Sequence, residues 1–131
     1  MKYTILAFIF ILFISNESFS QNNSGMTDKS HTTEIIRYKI SADQQENFMS
    51  AYSEAAKHLQ ASPFCRGYDI IQGQEEPANF IVRIYWTSKE DHLGGFRKST
   101  EFAAFFNLVK PFYNSIEEMK HYNTKLTGTK D

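Results

Sequence analysis

The chain has 131 residues, which is room for one domain. Its 14 basic and 15 acidic side chains leave a net charge of −1 without long runs of either sign, so no polyanion-binding surface is implied and no nucleic acid is expected as a partner. With 41% hydrophobic and 15% aromatic residues the chain can bury a core, which excludes intrinsic disorder for most of its length.

Lys2 is followed by the apolar run Ile5 to Ile14 and then by the small, polar stretch Ser15 to Ser20, the pattern of a secretory signal peptide over residues 1–20. A membrane-spanning helix needs about 20 apolar residues, roughly twice this run, so no span is expected after cleavage. Ser18-Phe19-Ser20 fits a cleavage site, and the mature, exported chain, periplasmic or secreted, is expected to begin near Gln21. Export permits disulfides, yet Cys65 is the single cysteine; it reads as a small buried hydrophobe, or else as a reactive or intermolecularly bridged thiol. No Cys or His spacing matches a structural zinc site, and no metal is expected.

Residues 21–33 are too polar to bury and read as a flexible lead, with His31 solvated. The domain is expected over residues 34–123. Ile35 to Ile40 alternates as a strand, with Ile36, Tyr38 and Ile40 on one face and Ile35, Arg37 and Lys39 on the other. Asp43 and Glu46 suggest a capping box for a helix whose stripe is Phe48, Tyr52, Ala55, Ala56 and Leu59 and which stops before Ser62-Pro63. Cys65 to Gln72 reads as a second strand and residues 73–79 as a polar hairpin connection. Phe80 to Trp86 is the strongest strand, with Trp86 on the face of Phe80, Val82 and Ile84, and Arg83 opposite. Ser88 then caps a second helix, which Gly94-Gly95 interrupts and which the stripe Phe102, Phe105, Phe106 and Val109 resumes up to Pro111. Ser115 to Asn123 reads as a last strand, with Ile116 and Tyr122 on one face and Met119 and His121 on the other; residues 124–131 form a polar tail.

The order β-α-β-β-α-β predicts an α+β, ferredoxin-like fold with an antiparallel sheet and both helices on one face. Ile35, Ile81 and Tyr85 then lie on the uncovered face, which predicts a homodimer through that open sheet face.

Ile84-Tyr85-Trp86-Thr87-Ser88-Lys89-Glu90-Asp91-His92 and Ser99 through Phe106 resemble the antibiotic biosynthesis monooxygenase family in a third strand ending in Trp, an acidic helix start and a small-x-x-Phe segment. The resemblance spans about Glu34 to Asn123 and implies a dimeric α+β barrel. It also implies cofactor-independent oxygenation of quinols or polyketide-like phenols, with dioxygen as co-substrate and no cofactor. Where many relatives carry histidines in the second helix, this chain has Phe96 and Glu101. At the positions used by haem-degrading members it has Ile36, Phe96 and Phe106, which speaks against that chemistry.

Oxygenation without metal or flavin requires the substrate itself to become an electron donor by losing a phenolic proton. The site then needs a dry aromatic pocket, a base and a donor for the oxyanion. His92, early in the second helix beside Gly94-Gly95, and His121, on the last strand where Glu118 or Arg83 could tune it, are the candidate bases. Their alternatives are an exposed helix histidine and an edge or interface histidine. Trp86, Phe96, Tyr38, Phe102 and Phe106 are the candidate substrate-binding residues, each otherwise ordinary core. His58 is expected to face solvent. No nucleophilic triad, P-loop or dinucleotide fingerprint is present. Three readings follow: a monooxygenase acting on a small quinol or phenol; a non-catalytic dimeric module that binds an apolar ligand such as haem or a quinone, favoured by the greasy Phe96 and Phe106; and a purely structural dimer, which a cavity between helices and sheet would speak against.

Overall fold

In a computed structural model the described residues are 31–131, so the expected leader at 1–20 and most of the lead at 21–33 fall outside them. Strand alternation sets the frame. β1 (Thr32–Lys39), β2 (Cys65–Gln72), β3 (Asn79–Trp86) and β4 (Ile116–Asn123) form one four-stranded sheet in the order β2-β3-β1-β4, antiparallel at every pairing. β1 begins inside the stretch expected to be flexible. Its first residue pairs with Trp86 on one side and Asn123 on the other, so the backbone ladder holds it.

α1 (Gln45–Ala61) and α2 (Thr100–Val109) cover one face of this sheet, which is the ferredoxin-like arrangement. The stripe Phe48, Tyr52, Ala55, Ala56 and Leu59 is the buried side of α1, as its spacing requires. Ile36, Tyr38, Phe80, Val82, Ile84 and Trp86 meet it from the sheet. Burying a large side chain of this kind stabilises by about 1.5–3 kcal/mol. No helix among the described residues is long and apolar enough to cross a membrane.

Three local expectations are corrected. The capping box does not form: a 3-10 turn at Ala42–Gln44 precedes α1, and the Gln45 amide ties the entry by donating to the carbonyls of Ile40 and Pro77. His31 is not simply solvated, since its ring sits edge-on to Tyr85 at 5.2 Å. In β4 a bulge breaks strict alternation: Glu118 pairs with Arg37 but Ile116 pairs with Tyr38, leaving Glu117 as an extra residue. Met119 and His121 consequently share the helix-facing side with Ile116, while Tyr122 falls outside.

Ser88 does cap, accepting from the Asp91 N–H at 2.9 Å. The chain then widens into a π turn at Asp91–Gly95, tightens into a 3-10 turn at Phe96–Lys98, and is capped afresh when Ser99 accepts from the Phe102 N–H. The two glycines differ in kind. A Cβ at Gly95 would lie 2.6 Å from the Phe64 ring, whereas one at Gly94 meets nothing within 4 Å. Gly95→Ala should therefore destabilise by about 1–3 kcal/mol, and Gly94→Ala should be neutral or stabilising by up to about 1 kcal/mol. Urea denaturation of the two variants checks this ordering.

Candidate functional site

The alternation that buries Ile36 and Tyr38 continues backward to Glu34, which is only 3% exposed. Across the ladders Glu34 faces Ile84 on β3 and His121 on β4. Trp86, at the end of β3, donates from Nε1 to Glu34 Oε2 at 2.9 Å. The π turn brings His92 down onto the indole, with the rings stacked at 4.2 Å and 5°. A π turn in place of a regular one is a frequent device at functional sites. His92 is buried, so the exposed-histidine alternative is excluded.

His92 Nδ1 and His121 Nε2 lie 2.7 Å apart, a hydrogen bond whose direction depends on the tautomers. On its other side, His92 Nε2 is 3.5 Å from Glu34 Oε2 and accepts a long bond from Arg97 Nε at 3.4 Å. Arg97 Nη2 also reaches within 3.9 Å of Glu34 Oε1. Carboxylate, two imidazoles and guanidinium thus form one chain, fed from β1, the π turn, β4 and the 3-10 turn.

Burial controls the protonation of this chain. It raises the Glu34 carboxyl above its ordinary value, opposed by the Trp86 N–H and the Arg97 charge. It pushes His92 down to about 3, with Arg97 and then His121 adding repulsion. His121 is also lowered, first by burial and then by Lys89 and Arg97. Neither Glu118 nor Arg83 tunes it as expected. Arg83 sits on the opposite face of the sheet, paired with Asp69 through two bonds of 2.6 and 2.7 Å. Both histidines are therefore neutral near pH 7, and His92 holds an added proton only weakly.

Beside the chain lies a cavity of about 240 Å³ between sheet and helices. Glu34, His92 and Arg97 form its polar wall, and Trp86, Phe96, Phe102 and Phe106 are part of its aromatic lining. Tyr38 also lines it and pairs with Tyr52, hydroxyl to hydroxyl at 2.6 Å. Burial pushes Tyr38 up to about 12 and Tyr52 well above its usual value, so both stay protonated. The pair holds two protons and uses one between its oxygens, which leaves one to donate to a ligand oxygen.

The candidate substrate-binding residues Trp86, Phe96, Tyr38, Phe102 and Phe106 thus converge on one cavity with His92, while His121 stands behind His92. Ile36 lies there as well, so all three positions compared with the haem-degrading members are apolar walls of this cavity. His58 is not a free surface group: its Nδ1 meets Glu101 Oε2 at 2.7 Å, pinning α1 to α2. Glu34, Arg97 and Met119 were missed as site residues. For Glu34 the signal was present, since it stands two residues before Ile36 on the same face of a strand.

The sequence profile of the antibiotic biosynthesis monooxygenase family matches residues 32–108. The chain belongs to this family. An uncharacterised Bacillus subtilis protein, YczJ, is 24% identical over 89 residues, covering 68% of this chain and 94% of its own length. A Bordetella bronchiseptica protein of the antibiotic biosynthesis monooxygenase type superposes with a TM-score of 0.61 at 17% identity, covering 75% of this chain and 98% of that one. SnoaB, a cofactor-independent oxygenase from Streptomyces nogalater, superposes at 0.57 with 12% identity, covering 76% and 96%. At such identities the superpositions establish the fold that this monooxygenase family shares.

The lowered His92 has a consequence for stability. Between its ordinary 6.5 and about 3 the unfolded chain binds a proton that the folded chain refuses, so stability present above pH 6.5 is lost as pH falls through that window. Glu34, raised rather than lowered, works in the opposite direction, losing stability as pH rises. In urea denaturation at about pH 7 and about pH 4, His92→Gln should lose less stability on acidification than the parent, and Glu34→Gln should lose more.

Proposed function

We propose that this family member is an exported, dimeric monooxygenase acting on a small quinol or phenol through the proton chemistry of its own side chains. The observation that carries the reading is the His92–His121 pair. One imidazole lines a buried aromatic cavity, the other lies 2.7 Å behind it and is partly exposed, so a proton taken inside the cavity has a path to solvent.

The substrate's hydroxyl enters the cavity and gives its proton to His92, which relays it to His121. Arg97 holds the resulting oxyanion, and the Tyr38–Tyr52 pair donates to an oxygen at the far end of the substrate. The aromatic lining excludes water while the electron-rich ring reduces dioxygen. For a naphthoquinol the balance is one oxygen atom inserted into the ring and the other released as water, with all four electrons drawn from the substrate. A cavity of about 240 Å³ lies just below the usual range of about 300–1,000 Å³ for ligand sites, which favours one or two rings over a polycyclic substrate.

The test is oxygen uptake by the purified protein with a reduced naphthoquinol, corrected for autoxidation. Saturable uptake should fall about 100-fold or more in His92→Gln, with a smaller loss in His121→Ala. Quinone binding without any turnover would instead move the protein to the binding-module reading that the apolar Phe96 and Phe106 support.

The dimer is proposed through the outer face of the sheet. Ile35, Ile81 and Tyr85 stand there half-buried, Ile71 is 42% exposed, and Arg83 and Asp69 already neutralise each other, so a second copy would meet no unpaired cation at that pair. Sedimentation should show a dimer at micromolar concentration and a monomer for Ile81→Asp. Export is supported by the residue pattern of positions 1–20.

A further inference from the structure

Glu34, His92 and His121 each offer one ligand atom, and the three atoms lie within 4.8 Å of one another. Two imidazole nitrogens and one carboxylate oxygen make a donor set of intermediate softness. Such a set suits zinc, cobalt, nickel, copper or ferrous iron, and not magnesium or calcium, which prefer oxygen alone. We propose that this cluster binds a divalent transition-metal ion.

The ligands are held from outside as metal ligands require. The Trp86 N–H orients the Glu34 carboxylate, the indole face fixes the plane of His92, and the β1–β4 ladder sets His121 directly opposite Glu34. An imidazole gives one nitrogen to one ion: His92 Nδ1, 2.7 Å from His121 Nε2, has to open by only a few tenths of an ångström to reach the roughly 3.3 Å of two nitrogens on a tetrahedral ion, while the Glu34 carboxylate, now 3.5 Å from Nε2, has to swing toward Nδ1. Glu34 and His92 also line the cavity, so a bound ion lies at its wall.

Arg97 competes for the same place. Its guanidinium lies 3.9 Å from Glu34 Oε1, a cation already beside the carboxylate ligand, and 3.4 Å from His92 Nε2, on the ring edge away from His121. Its side chain is 39% exposed and can leave toward solvent. An ion bound here would take the imidazole lone pairs that the proposed proton transfer uses. It would act as an inhibitor of that chemistry, a consequence that rests on the functional reading although the binding does not.

The experiment is equilibrium dialysis of the chelator-treated protein against Zn2+, with Co2+ as a spectroscopic probe. One ion per chain is expected, with a cobalt spectrum showing imidazole ligation. Binding should weaken about 100-fold or more in His121→Ala and in Glu34→Gln, and should tighten about tenfold in Arg97→Gln. His121 is partly exposed on an edge strand, so His121→Ala, checked for folding by circular dichroism, decides the matter if the buried Glu34 variant unfolds. Absence of stoichiometric binding, or binding that His121→Ala leaves unchanged, overturns the site. Neither readout depends on oxygen uptake, so failure here is separable from failure of the monooxygenase reading.

Discussion

The hydrogen bond from Trp86 Nε1 to Glu34 Oε2 ties the two central strands together at their cavity end, and the rest of the site is arranged around it. A carboxyl group taken out of water costs several kcal/mol unless it finds partners. The indole N–H and the approach of Arg97 supply them, and among the described residues no buried side-chain polar atom lacks a partner. The indole in turn offers its face to His92, so one interaction both satisfies the carboxyl and positions the imidazole.

Tyr38 stands four positions after Glu34 on β1, or about 13 Å along the strand. The cavity is accordingly polar at two ends, with Ile36 between them. One end presents neutral histidines; the other holds two tyrosines that burial keeps protonated. A ligand with oxygens at both ends is oriented by that difference, while the phenylalanines contribute dryness without direction.

Much of this was legible in the sequence because period-two and 3.6-residue patterns are local. The α1 stripe, the β2 bounds, the Ser88 cap and the break at Gly94-Gly95 all follow from neighbours in the chain. The aromatic lining was also accessible, since Trp86 and Tyr38 fall on the core-facing side by alternation. What could not be read were contacts joining distant segments: Glu34 with His92 and His121, Arg97 with both sides of the chain, and His58 with Glu101 across the two helices. Glu34 was obscured for a further reason, that a charged residue at a strand's start is ordinarily taken for the edge of the domain. His92 is buried within a π turn, and no composition rule distinguishes that turn from a frayed helix end.

The extra residue at Glu117 reaches beyond the geometry of β4. It changes the parity of the strand, so the side chain that meets His92 stands five positions after Ile116 rather than an even number away. Relatives that differ at this bulge will place a different column of an ungapped alignment against the second helix. Comparing which of them possess the imidazole pair therefore requires superposed backbones, since counting along the chain would assign Lys120 to the cavity and His121 to the solvent.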